Sequence, residues 1–135
     1  MEEQILKKHQ LKKTAIRKHL LDLFLNTNTA LSHSMIEKQV EQLYDRVTLY
    51  RTLNTFEEKG IIHKIMNFEG VAMYALCVEN CEEHHHHDNH IHFSCEKCKE
   101  TICVSEEYTP KIILPKEYQI HEIMISVKGI CPKCQ

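Results

Sequence analysis

The chain has 135 residues, 42% of them hydrophobic and 27% charged, with 17 Lys and Arg against 19 Asp and Glu, seven cysteines and no tryptophan. That length holds one ordinary domain, or two small ones that each need a metal or a partner to complete them. No apolar run approaches the roughly 20 residues of a membrane-spanning helix, and the opening MEEQILKKHQ lacks the apolar core of a signal peptide, so a cytoplasmic protein with no membrane partner is expected.

The formal charge of −2 argues against a nucleic-acid partner only until the chain is divided. Through Met66 there are eleven Lys/Arg against eight Asp/Glu, and beyond it six against eleven. The first half can approach phosphate and the second can hold cations.

Taken in order, residues from about Ile5 to Leu25 carry apolar positions at three- and four-residue spacing and read as one helix, with Lys12, Lys13 and Arg17 along it. NTNTALS breaks the pattern, and Ser32 is placed to cap a second helix, SHSMIEKQVEQL. Asp45 caps a third, RVTLYRTLNTFEEKG, which Gly60 stops. There Val47, Tyr50, Leu53 and Phe56 form the apolar period with Leu49, leaving Thr48, Arg51 and Thr52 for the other side. IIHKIMNF and VAMYALC then read as two strands turning at Glu69-Gly70. Helices followed by a hairpin make a winged helix-turn-helix, with RVTLYRTLNTFEEKG as the helix that enters a DNA groove. On that reading Thr48 and Thr52 touch base edges or thymine methyls, and Lys12, Lys13 and Arg17 touch phosphates.

Composition changes between Cys77 and His87, dividing the chain into residues 1–76, a linking segment 77–87 and residues 88–135. Beyond it HIHFSC, ETICV and YQIHEIMISVKG alternate as strands. The stretch from His84 to Cys98 holds six histidines, an aspartate and two cysteines, and its CxxC finds a second half at Cys131 and Cys134. Seven cysteines in a cytosolic chain argue for metal ligation over disulfides. Two CxxC knuckles bring four thiolates onto one zinc at about 2.3 Å each, so Cys95, Cys98, Cys131 and Cys134 are the expected structural zinc ligands. His90 and His92 alternate along a strand and so project from one face, as a shared ion requires. His84 to His87 read as a solvated, metal-attracting loop, and Cys81 has no assigned role.

Two other classes use the same residue types. A zinc deaminase needs H-x-E before PCxxC, whereas this chain has HIH and CPKC, and four thiolates leave no position for a catalytic water. No enzymatic activity and no small-molecule substrate are therefore expected. A zinc store or metallochaperone suits the histidine run but leaves the winged helix without a purpose.

DRVTLYRTLNTFEEKGIIHKI, then a wing, a histidine cluster, HxHxxCxxC and a terminal CxxC, in that order, resemble the ferric uptake regulator family of bacterial metal-dependent repressors, from about Leu11 to Cys134. The resemblance implies an α+β fold: an N-terminal winged helix-turn-helix DNA-binding domain followed by a small α/β dimerisation domain that carries the four-cysteine zinc site. It implies a homodimer that binds palindromic double-stranded operators when a regulatory divalent metal is loaded. It makes His90 and His92 part of that regulatory site, and assigns thymine-methyl and base or phosphate contacts to Tyr50 and Arg51. Further regulatory ligands are implied at Cys77 after the wing, at Cys103 where a carboxylate is more usual, and at His63 at the start of the wing. Ala30 stands near a position where some members have a histidine, which leaves His33 in reserve. Imidazoles with thiolates favour zinc over Fe(II) or Mn(II), which points to the zinc-sensing branch, with iron- or peroxide-sensing members of the same family as the rivals.

Overall fold

A computed structural model of the chain describes residues 1–40, 43–76, 91–104, 108, 110–121 and 123–135, and these form two three-stranded sheets with four helices gathered on the first. Cys77, Cys81, His84 to His87 and His90 lie outside the described residues.

The helix expected from Ile5 to Leu25 is two, α1 (Glu2–Lys8) and α2 (Ala15–Leu25). Gln10 takes a left-handed φ of 57°, and the Thr14 hydroxyl accepts the Arg17 N–H at 3.3 Å to start α2 afresh. A two-residue strand β1 (Leu31–Ser32) leads into α3 (His33–Gln39), where the Ser32 hydroxyl caps the Met35 N–H at 3.2 Å. The third helix of the sequence pattern is α4 (Arg46–Glu58). Asp45 Oδ1 accepts the Thr48 N–H at 2.7 Å, which holds the Asp45 carboxyl below its usual range, and Gly60 follows at φ 79°.

The buried face of α4 is Leu49, Thr52, Leu53 and Phe56. Val47, expected on the apolar side, is 58% exposed. The inward stripe runs at the helical spacing 49–53–56, and a strict three-residue count drifts off it within a turn. Leu53 and Phe56 join Leu20, Leu21, Phe24, Ile36 and Ile62 in the main core.

Strands β2 (Ile62–Met66) and β3 (Ala72–Leu76) form the expected hairpin, with Asn67 Oδ1 accepting the Glu69 and Val71 N–H groups and Gly70 at φ 80°. β1 adds a third strand, pairing Leu31 with Tyr74 and Ser32 with Met73. The second sheet has the order β5-β4-β6, from β4 (Ile91–Cys95), β5 (Thr101–Cys103) and β6 (Ile125–Gly129). The strand expected from Tyr118 begins only at Ile125; the described residues from 110 to 121 form neither helix nor strand.

The two sheets touch where β5 meets the loop before β1. The Ala30 N–H donates to Thr101 O at 2.7 Å, and Cys103 packs against Ala30, Ile65, Met73 and Ala75. Lys128 Nζ lies 5.5 Å from the centre of the Phe68 ring at the wing turn. No helix among the described residues is long and apolar enough to cross a membrane.

Candidate functional sites

The first cluster follows from strand direction. β4 and β6 run parallel and pair Cys95 with Gly129, so their C-terminal ends lie side by side. One knuckle turns out of β4 through Lys99 at φ 66° and the other continues from β6 into a 3-10 turn, Pro132–Cys134. Cys95, Cys98, Cys131 and Cys134 therefore meet, with all four sulfurs within 4.8 Å of one another and Cys98 Sγ 3.9 Å from Cys131 Sγ. A tetrahedral zinc with bonds of about 2.3 Å needs sulfurs about 3.8 Å apart, so the residues fit such an ion.

Polarity inside this cluster is uneven. The Cys131 N–H donates to Cys95 Sγ at 3.4 Å, and with N–H groups of the first knuckle it pulls the Cys95 thiol down to about 6. The hydrogen bond with the Cys131 sulfur, then desolvation, pushes Cys134 up to about 12. Four thiolates this close repel one another, and a divalent cation is what lets all of them ionise together.

The second cluster bridges the sheets. His92 and Cys103 are direct cross-strand partners in β4 and β5, so their side chains share a face. His63 comes to that face from β2 of the wing. Cys103 Sγ lies 3.4 Å from His63 Nε2, the His63 and His92 rings meet edge-on at 5.3 Å, and the three ligand atoms lie within 4.8 Å of one another. His63 and His92 are only 1% and 2% exposed. Bonds of about 2.0 Å to nitrogen and 2.3 Å to sulfur put such donors about 3.5 Å apart around a tetrahedral ion, so this set also fits zinc. Of the sequence-nominated regulatory ligands, His63, His92 and Cys103 are thus brought together, while Cys77 and His90 lie outside the described residues.

On the helix-turn-helix, Tyr50 and Arg51 face outward, with Tyr50 44% exposed, and Thr48 is half-buried. Thr52 corrects the sequence reading: it is buried, and its hydroxyl donates to Thr48 O at 2.8 Å, which turns it away from any base edge. Lys12 and Lys13 are exposed, but Lys13 pairs with Glu3 of α1, and Arg17 Nη1 donates to Lys12 O at 2.9 Å. The Lys13 and Arg17 side chains are thus engaged within the chain, whereas Lys12 contributes only its carbonyl and its exposed side chain faces solvent.

The model of the ferric uptake regulator family matches residues 8–127. The chain belongs to the ferric uptake regulator family. Its members are transcription regulators that bind DNA, so this chain is a metal-responsive regulator and not an enzyme. The regulator is 33% identical over 139 residues to the ferric uptake regulation protein of Staphylococcus aureus, covering 98% of this chain and 94% of that one. It is similar in fold to the Vibrio cholerae ferric uptake regulator, with a TM-score of 0.64, 24% identity and coverage of 97% and 100% of the two chains. It is also similar to a zinc uptake regulator complexed with zinc and DNA, with a TM-score of 0.68, 19% identity and coverage of 98% and 89%.

Sequence reasoning missed two features of this regulator. One is the main-chain clasp from Ala30 to Thr101, which leaves no side-chain signal. The other is His33, which the sequence holds as a reserve ligand but which stacks on Tyr50 with ring centres 3.6 Å apart. Its sequence signal was its position at the start of a capped helix, one helical turn before Glu37.

Proposed function

We propose that this chain is a transcriptional repressor that binds palindromic operators as a homodimer when a regulatory ion, zinc in preference to Fe(II) or Mn(II), bridges its two sheets. The observation that carries this is the meeting of His63 from the wing with His92 and Cys103 from the second sheet. The sequence nominates both His90 and Cys77 as further ligands of this ion. Without an ion, the winged helix is held to the second sheet by the Ala30–Thr101 hydrogen bond, the packing of Cys103 and the Cys103–His63 contact. With one, β2 is tied to β4 and β5, and the two wings of a dimer keep one separation. Both recognition helices reach half-sites only if that separation matches the DNA repeat. The four-cysteine cluster carries no donor from the wing, so its role is to staple the chain end to β4.

A ligand shifts an equilibrium only by its differential affinity for the two states. Protein with the four-cysteine site filled should therefore bind operator at least about tenfold more weakly than protein holding a second zinc, a coupling in the range usual for allosteric effectors. Operator titrations by fluorescence anisotropy at the two zinc loadings measure it, and equal affinities would sink the proposal. The names of the Staphylococcus relatives support a second reading, an iron sensor, and competitive loading with Zn(II), Fe(II) and Mn(II) separates the two. Arg51→Ala should weaken specific operator binding by about 1–3 kcal/mol and leave both zincs in place, whereas a metal store would be unaffected by it.

A further inference from the structure

Tyr50 is the one aromatic ring on the outward face of α4, and one side of it is already covered. The His33 ring stacks on it with centroids 3.6 Å apart and planes inclined by 19°. His33 is itself held: its Nδ1 lies 3.0 Å from Glu37 Oε1, one turn further along α3. Arg46 Nε, at the start of α4, donates to the same Oε1, also at 3.0 Å. A single carboxylate therefore anchors both the ring and the first residue of the helix that the ring leans on. The other nitrogen, His33 Nε2, is buried with no hydrogen-bond partner among the described residues. A phenyl ring would stack there without leaving a polar atom stranded, so what the imidazole adds is its bond to Glu37.

We propose that His33 is a positioning residue for DNA reading: it fixes the Tyr50 ring in one orientation on the free protein, so that the ring meets the operator already ordered. This rests on the reading above that α4 enters the groove and that Tyr50 touches bases. A half-exposed tyrosine loses rotamer freedom when it contacts a base. A ring pinned beforehand on one side loses less, and presents its remaining face and edge at a set angle. The effect belongs to sequence-specific binding, because phosphate contacts by lysines and arginines do not depend on how this ring is turned.

The test uses the zinc-loaded full chain and an operator duplex that it selects from a randomised duplex library, with an unrelated duplex of equal length as the non-specific probe. His33→Ala should weaken operator binding about tenfold, within the usual range for residues in direct contact, and leave non-specific affinity and zinc per chain unchanged. His33→Gln keeps a donor for Glu37 but has no ring, and should behave like His33→Ala. His33→Phe keeps the stack and should recover most of the loss. In a Tyr50→Ala background, His33→Ala should cost little more. The proposal is overturned if His33→Ala costs as much there as in the parent, if His33→Phe binds no better than His33→Gln, or if operator and non-specific affinities fall together. Failure of the underlying reading looks different: Tyr50→Ala would then leave operator affinity unchanged, or the library would yield no operator.

Discussion

Position 103 sets the chemistry of the cluster between the sheets. A thiol beside two imidazoles is a soft donor set that favours zinc, whereas a carboxylate there would move the preference toward Fe(II) and Mn(II). Cys103→Asp should lower zinc affinity at the second site by at least the roughly 10- to 100-fold that losing even an outer-shell partner costs, and narrow the gap to Mn(II). Competition against a chromophoric chelator, with the four-cysteine site already filled, measures both effects; unchanged zinc affinity would remove Cys103 from the ligand set. At the four-cysteine cluster the N–H groups around Cys95 hold its thiol at about 6, below the ordinary 9.0. Above about pH 6 no proton need leave Cys95 when metal binds, and below it one must. Zinc affinity should thus fall with falling pH throughout and more steeply below about 6. Cys95→Ser should remove that extra steepness, which zinc titrations from pH 5 to pH 8 would resolve. The four cysteines were legible because two matched spacings announce them. His63, His92 and Cys103 were harder, because positions this far apart converge only through the pairing of β4 with β5 and the approach of β2, which no local pattern encodes.

The N-termini of α3 and α4 were the best-read helix boundaries, since caps are chemical signals carried by single residues. Ser32 and Asp45 cap α3 and α4 as their side chains suggest. Ser32→Ala should destabilise the N-terminal half by about 1 kcal/mol, seen as a fall of a few degrees in thermal unfolding, with zinc per chain unchanged. A fall as large as that from Phe56→Ala, which empties a core site and costs about 3–5 kcal/mol, would mean that Ser32 holds more than a helix end. The elements that were misread are those that depend on tertiary context. One apolar period spans α1 and α2, yet Gln10 and Thr14 divide them. β1 is two residues long and exists only because β3 offers it an edge. Thr52 looks polar in a list of helix positions, but a threonine whose hydroxyl bonds back to Thr48 O can be buried at little cost. Tyr50 fitted both the core and the DNA face, and its half-exposure under His33 explains why periodicity alone left the choice open.

At the scale of the whole molecule, no hydrophobic core cluster among the described residues belongs to the second sheet alone. The segment from Tyr108 to Ile130 exposes Tyr108, Ile113, Leu114, Tyr118, Ile120 and Val127, with Ile113 79% exposed. Apolar side chains exposed in such number along one segment are expensive to leave in water and suit a surface on which another chain packs. In a protein proposed to read two half-sites, a second copy is the partner that also supplies the second recognition helix. The four-cysteine cluster gathers at one end of β4 and β6, so a substitution in the apolar segment can weaken association without touching a ligand. Ile113→Asp, placing a charge at the most exposed apolar position of that segment, should raise the dimer dissociation constant by at least about tenfold, as burying an unpaired carboxylate requires. Sedimentation velocity across protein concentration reads the shift, and zinc content should stay that of the parent. Operator affinity should then fall in step with the dimer fraction and recover at high protein concentration. A variant that sediments like the parent but still loses the operator would place Ile113 at some other surface, and a parent that sediments as a monomer at every concentration would remove the two-fold reading of the operator altogether.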